Sequence, residues 1–173
     1  MLIKTIGAVL VLTSATAIGS LLALRIKEQE GWLADIKMSL FLLLGELEYH
    51  QLPLPEALHL TSVKHSGRMS CFYRNTGEEL EKKTGGNVRT IWQKQAEQIL
   101  KEAPLNAAQK EEFSRMGTYF FGTDVSARKN AVEYYFARLE EDIVRLRSTG
   151  KDKAYLYRML GMLGGVFLLV LVS

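Results

Sequence analysis

Apolar residues recur at helical spacing along most of the chain. The period-two alternation that marks strands is missing. Trp32, Ile36, Leu40, Leu43, Leu44 and Leu47 form one stripe of a helix that ends near Gln51. Pro53 and Pro55 form a helix corner, because each fixes φ and lacks a backbone N–H. Pro55 suits the first turn of the next helix, with Glu56 at the positive end of its dipole. That second helix directs Ala57, Leu58 and Val63 to the core and stops at Gly67. A third helix is predicted over 69–83, closed by Gly85 and Gly86. Asn87 caps a fourth, with Ile91, Trp92, Ala96, Ile99 and Leu100 on its apolar face. Ala103-Pro104 ends it, and Asn106 caps a fifth that carries Phe113, Met116, Phe120 and Phe121. Gly122-Thr123-Asp124 is the next break. Asp124 caps a long sixth helix with the stripe Val132, Tyr135, Phe136, Leu139, Ile143 and Leu146, and Gly150 is expected to loosen it. Short connections favour antiparallel neighbours.

The two ends are more apolar than the middle. Residues 6–24 hold no charge and are flanked by Lys4, Arg25 and Lys27. At about 1.5 Å per residue they extend to roughly 28 Å of helix, close to a bilayer core. A cleaved leader would use Ala15-Thr16-Ala17. However, the apolar run continues through Leu24, and the stronger positive charge follows the run, which favours an anchor. Residues 154–173 make the second expected span. It fits if Arg158 snorkels to the headgroups and Tyr155 and Tyr157 sit at the interface. The predicted fold is therefore all-α, an antiparallel six-helix bundle over 25–153 between transmembrane helices at 1–24 and 154–173. Basic residues flank the middle at both junctions, so the bundle is expected in the cytoplasm and both termini across the membrane. Ala15, Gly19 and Ala23 repeat at small-residue spacing, as do Gly161 and Gly165. These faces let the two spans pack together or onto another subunit.

Charge excludes one class of partner. All 19 acidic residues lie between Glu28 and Asp152, and the net charge of +3 leaves no broad basic footprint for nucleic acid. The single cysteine, Cys71, rules out an internal disulfide and is expected as a reduced, half-buried thiol.

The one stretch that invites a chemical reading is ELEYHQLPLPEALHL, residues 46–60. Glu46 and His50 share a helical face, but His59 lies beyond the proline corner and His65 is on a different face again. No zinc signature or catalytic spacing is present, so neither a metal site nor acid–base use of Glu46 or Glu48 is expected. The charged run 77–83 reads as a solvated face, and the Tyr134-Tyr135-Phe136 cluster as core. The chain is expected to be no enzyme and to need no cofactor.

LIKTIGAVLVL at the start, PLPEAL at 53–58, the Gly122/Asp124 break and above all YRMLGMLGGVFLLVLVS at 157–173 together carry a resemblance. The chain resembles stage III sporulation protein AB of endospore-forming bacteria, over its whole length. One departure concerns the loop at Asp124. The family usually has an Arg and a Gln soon after that Asp, whereas Val125 and Arg128 or Lys129 stand here and the loop is shorter. The resemblance implies a fold similar to the inner-membrane platform protein of type II secretion and type IV pilus machines. It implies a mother-cell membrane location facing the forespore, in a channel-like complex with other stage III sporulation proteins. It also implies a companion secretion-type ATPase, stage III sporulation protein AA, and leaves room for a homo-oligomer. The competing readings are a membrane-anchored helical adaptor unconnected with secretion and a membrane-bound enzyme using the Glu46/His50 region.

Overall fold

A computed structural model describes the backbone of residues 2–82, 87–120 and 125–172, and the side chains of most residues from 20 to 150. These form six helices and no strand: α1 (Leu2–Glu48), α2 (Leu54–Lys64), α3 (Ser70–Lys82), α4 (Val88–Leu100), α5 (Ala107–Phe120) and α6 (Val125–Val172). The all-α expectation holds. Among the described residues no helix is long and apolar enough to cross a membrane. The side chains of the two expected spans lie almost entirely outside the described residues, as do the expected breaks at Gly85-Gly86 and Gly122 and the cap at Asp124.

The chain divides into two compact units, one of residues 1–30 and 144–173, the other of residues 31–143. The core belongs to the second. From α1 it takes Trp32, Leu33, Ile36, Leu40 and Leu43, from α4 Ile91, Trp92, Ala96 and Leu100, and from α6 Val132, Tyr135, Leu139 and Ile143. These are largely the residues of the predicted stripes. Leu44, Leu47, Ile99 and Phe136 are half-buried at the stripe margins. Tyr134 points outward, so only part of the Tyr134-Tyr135-Phe136 cluster is core.

Side chains from three helices meet at the centre. Phe72 and Tyr73 of α3, Trp92 of α4 and Phe113 of α5 are fully buried. Phe72 meets Tyr73, Trp92 and Phe113 edge-on at centroid distances of 5.0, 4.7 and 5.2 Å. Edge-to-face pairs at this range add stability beyond the area they bury. The Trp92 indole N–H donates to the Phe113 carbonyl at 3.1 Å, so the one polar atom of the ring is satisfied inside the core. This depth is available because α5 carries Gly117, where a Cβ would overlap the Trp92 side chain.

The caps follow the sequence. Asn87 Oδ1 accepts from the Arg89 N–H at 3.0 Å. Asn106 and Gln109 form a reciprocal capping box, Asn106 Oδ1 accepting from the Gln109 N–H and Gln109 Oε1 from the Asn106 N–H.

Val63, Gly150 and Cys71 depart from expectation. Val63 is 69% exposed; the buried stripe of α2 is Ala57, Leu58, Thr61 and Ser62, and Val63 falls on the opposite side. The Thr61 and Ser62 hydroxyls tolerate burial by donating back to the Ala57 and His59 carbonyls. Gly150 does not loosen the sixth helix, since α6 runs through it. One helical glycine costs only about 1 kcal/mol, and here its bare Cα leaves room for Ile26 of α1. Cys71 is exposed, not half-buried.

Packing at Gly117 and the burial of two tyrosines have measurable consequences. Gly117→Ala, which in an open helix gains about 1 kcal/mol of propensity, should instead destabilise the domain by about 1–3 kcal/mol, measured by chemical denaturation. Burial pushes the Tyr73 hydroxyl far above the ordinary tyrosine range, opposed by its hydrogen bond with Ser39, and burial followed by the charge of Glu112 does the same for Tyr135. Both raised values favour the neutral form in the folded state. Stability is therefore fully present below about pH 10 and falls as pH rises above it. Denaturation midpoints across that range check the sign, and a Tyr73→Phe/Tyr135→Phe variant should show a flatter alkaline limb.

Candidate functional site at the proline corner

Helix α1 ends at Glu48, and the chain turns through Gln51, a non-glycine residue at φ 51°. A left-handed residue just beyond a helix end is a common stop, and here the Leu52 N–H donates to the Glu46 carbonyl at 3.3 Å. Pro53 occupies the N-cap of α2 and Pro55 its first turn, with Glu56 beside it. The corner expected at Pro53 and Pro55 is therefore present, with Pro53 exposed and Pro55 half-buried.

Inside the corner lies Glu46, its side chain only 4% exposed. Its Oε1 accepts from Lys64 Nζ at 2.6 Å. Its Oε2 stands 3.0 Å from His50 Nδ1, close enough for an ion pair but out of line for a hydrogen bond. The predicted Glu46/His50 proximity is real. The stronger partner, Lys64, comes from the far end of α2, which helical periodicity within α1 does not reveal. A carboxylate engaged by a lysine of its own chain is poorly placed to take a proton from a substrate. Glu48 is half-buried, with one carboxylate oxygen lacking a hydrogen-bond partner.

The three histidines separate. His50 and His59 are exposed, and His65 is buried. His65 Nε2 stands 2.9 Å from Asp35 Oδ1, again angled away from a hydrogen bond, and Asp35 Oδ2 accepts from the Met69 N–H at 3.1 Å. His65 turns out of the helix at φ −95° and ψ 114°, ending α2 at Lys64 rather than at Gly67. Gly67 makes room instead, since a Cβ there would overlap both the Asp35 carboxylate and the His65 ring. Next to it, the Arg68 guanidinium lies 5.2 Å from the Trp32 ring centroid, within cation–π range. Among the described residues no group of three or more His, Cys, Asp or Glu side chains is placed to hold a metal ion.

Two further buried polar ties went unread in the sequence. Tyr73 Oη donates to Ser39 Oγ at 3.0 Å, and Ser39 Oγ donates to the Ile36 carbonyl at 2.9 Å. Gln109 Nε2 donates to Asp142 Oδ2 at 2.7 Å. Asp142 also raises the pKa of the neighbouring Arg138, followed by Glu112 and Glu141. A signal existed: Asp142 follows Leu139 at helical spacing and borders Ile143, so it sits in the α6 seam and needs a buried donor. The charged run 77–83 is not wholly solvated either, for Glu79 binds Lys94 at 3.1 Å and Gln95 at 2.7 Å on α4.

Of the residues expected at the membrane, Arg25, Lys27 and Ala23 are described, and all are exposed. Ala15, Gly19, Gly161, Gly165, Tyr155, Tyr157 and Arg158 lie outside the described side chains.

If the His65 pair fastens the start of α3 to α1, Asp35→Ala should destabilise the domain by roughly 1–3 kcal/mol. In a double-mutant cycle with His65→Ala the two losses should fall short of additivity by at least about 0.5 kcal/mol. Additive losses would show that the two side chains act independently.

No curated protein and no solved structure matches the chain. A family comparison does, and it takes in the α1–α2 corner together with both chain ends. Residues 4–173 match the family described as stage III sporulation protein AB, and the chain belongs to that family.

Proposed function

We propose that the protein is a non-enzymatic membrane platform in a sporulation secretion or channel complex between mother cell and forespore, and that its helical middle docks a cytoplasmic secretion-type ATPase, stage III sporulation protein AA. In this reading residues 6–24 and 154–173 are membrane spans in the mother-cell membrane. Residues 25–153 face the mother-cell cytoplasm, and both termini lie on the opposite side. Other stage III sporulation channel proteins are the partners within the membrane, and copies of the chain itself are candidates for the small-residue faces.

Family membership over residues 4–173 supports the sporulation role. The observation that carries the membrane reading is continuity. The uncharged stretch 6–24 belongs to the same helix, α1, that supplies Trp32 to Leu43 to the core, and the apolar C-terminal run belongs to α6. Helix is the form in which a single segment satisfies its own backbone in lipid. The non-enzymatic reading rests on the state of the corner, where Glu46 and Asp35 are taken up by Lys64 and His65 of the same chain. A platform transmits a nucleotide-driven change through differential contacts in two states, which requires a structured surface rather than a reactive one.

The test is crosslinking of the 25–153 region to the companion ATPase in sporulating cells, with and without nucleotide. Capture that changes with nucleotide is expected, and absence of capture in both conditions overturns the docking. Protease added from the side of the membrane opposite the mother-cell cytoplasm should leave the bundle intact. Gly161→Ile with Gly165→Ile should weaken assembly of the complex while leaving the melting of the bundle unchanged.

A further inference from the structure

Within residues 31–143 the outer face of α1 is apolar where solvent favours charge. Among the described residues of that unit six large apolar or aromatic side chains are exposed, and three of them, Met38, Phe41 and Tyr49, lie on one stripe of α1. At 3.6 residues per turn Ala34, Met38, Phe41, Gly45 and Tyr49 fall within about 80° of arc, opposite Ile36, Leu40 and Leu43 of the core. Tyr49 stands just past the helix end, yet its N–H donates to the Gly45 carbonyl at 3.0 Å, which keeps it in helical register. The exposed face of a helix is ordinarily polar, and contiguous apolar surface marks a contact.

Gly45 is a second, independent observation. Glycine weakens a helix interior, and at Gly67 and Gly117 the chain itself fills the space that the missing side chain leaves. At Gly45 a Cβ would meet nothing within 4 Å. The space there opens outward, as a notch on the stripe between Phe41 and Tyr49, and suits the close approach of a backbone from outside the chain. Charge narrows what that neighbour is. Between Ala34 and Gly45 the helix holds two charged residues, Asp35 and Lys37. Asp35 faces His65 and accepts from the Met69 N–H, and Lys37 pairs with Glu140 of α6. This length of the face therefore offers no uncompensated charge for an oppositely charged partner to read, and none that repels an identical face.

We infer that a second copy of the chain covers this stripe, α1 packing against α1 in parallel about a two-fold axis. Ala34, Met38, Phe41 and Gly45 step by four, three and four residues, the spacing that keeps one seam of a helix turned toward a parallel partner. When the axis runs along the helices each residue meets its own copy, so a single stripe is self-complementary and no second surface is required. The inference rests on the membrane reading above, in which α1 of every copy rises from one bilayer in the same direction and brings identical positions to one height. It adds a pairing surface beyond the spans. The seam is roughly 22 Å long from Ala34 to Tyr49, which is short for a permanent dimer in free solution. Anchoring in one membrane raises the effective concentration at which two stripes meet.

The test uses the full chain in the membranes of a producing cell, with the exposed Cys71 removed by Cys71→Ser and Ala34→Cys supplying the only thiol. Mild oxidation should join two copies through Ala34→Cys, whereas Glu81→Cys, exposed on α3, should join few. Gly45→Leu and Phe41→Glu should each lower the joined fraction roughly tenfold. The melting temperature of the Gly45→Leu chain in detergent should be unchanged or higher, because within one copy that side chain has open space. In a chain that stays in the membrane through alkaline washing, equal joining through Ala34→Cys and Glu81→Cys, or joining unaffected by both seam variants, would overturn the inference alone. Ala34→Cys joined to a different protein would give the stripe to another partner and overturn the second copy. Ala34→Cys joined to Tyr49→Cys in preference to its own copy would make the pair antiparallel, which helices rising from one bilayer cannot form, and would overturn the pairing together with the membrane reading. A chain released by alkaline washing would overturn the membrane reading beneath it.

Discussion

Close approach of α4 and α5 at Trp92 is the constraint on which the helical unit depends. A bundle without strands has no shared backbone ladder, so its helices are held by side-chain packing and by how near their axes come. Trp92 enters that contact as the largest fully buried side chain, and Gly117 opposite it supplies the space. The indole N–H reaches the Phe113 carbonyl only at this separation. Phe72 and Tyr73 then close over the ring from α3. Through Tyr73 and Ser39 the same cluster extends to α1.

Around this apolar centre the buried polar groups tie helices together. Asp35, Ser39 and Glu46 lie along α1 and each meets a partner from α2, α3 or the segment between them. Gln109 and Asp142 do the same for α5 and α6. Breaking a buried pair leaves an uncompensated group behind, which costs more than forming the pair contributes. Such ties therefore define one arrangement of the helices more than they add net stability. For a proposed docking surface a single arrangement matters, because a partner that distinguishes two states needs each to be well defined.

Much of this was legible in the sequence and some was not, for reasons particular to the residues. Helical stripes predicted the buried faces of α1, α4 and α6, because a 3.6-residue period acts within one element. The caps at Asn87 and Asn106 were legible for the same reason, since their partners lie within three residues. Val63 was misplaced because α2 is short and its buried stripe is half hydroxyl, so apolarity alone pointed the wrong way. Asp35–His65 and Glu46–Lys64 were out of reach, since each joins residues whose proximity depends on how α1 and α2 cross. Gly117 was silent as a letter, and Gly67 was read as a helix stop. A glycine kept for space is recognised only once the neighbouring Trp92, or the Asp35–His65 pair, is seen against it.

Charge is distributed differently in the two units. In residues 31–143 several carboxylates find cations or amides of the same unit, as Glu46, Glu79 and Asp142 do, and the two signs nearly balance. Such a surface carries little long-range attraction for a polyanion. In the unit that holds both chain ends the acids are too few to neutralise the bases. Uncompensated cations repel one another in a compact unit unless something outside it supplies the opposite charge. In the proposed membrane setting the basic residues and the apolar ends of that unit answer to the same surroundings, and the nearly neutral helical unit is left free to meet a protein partner by shape.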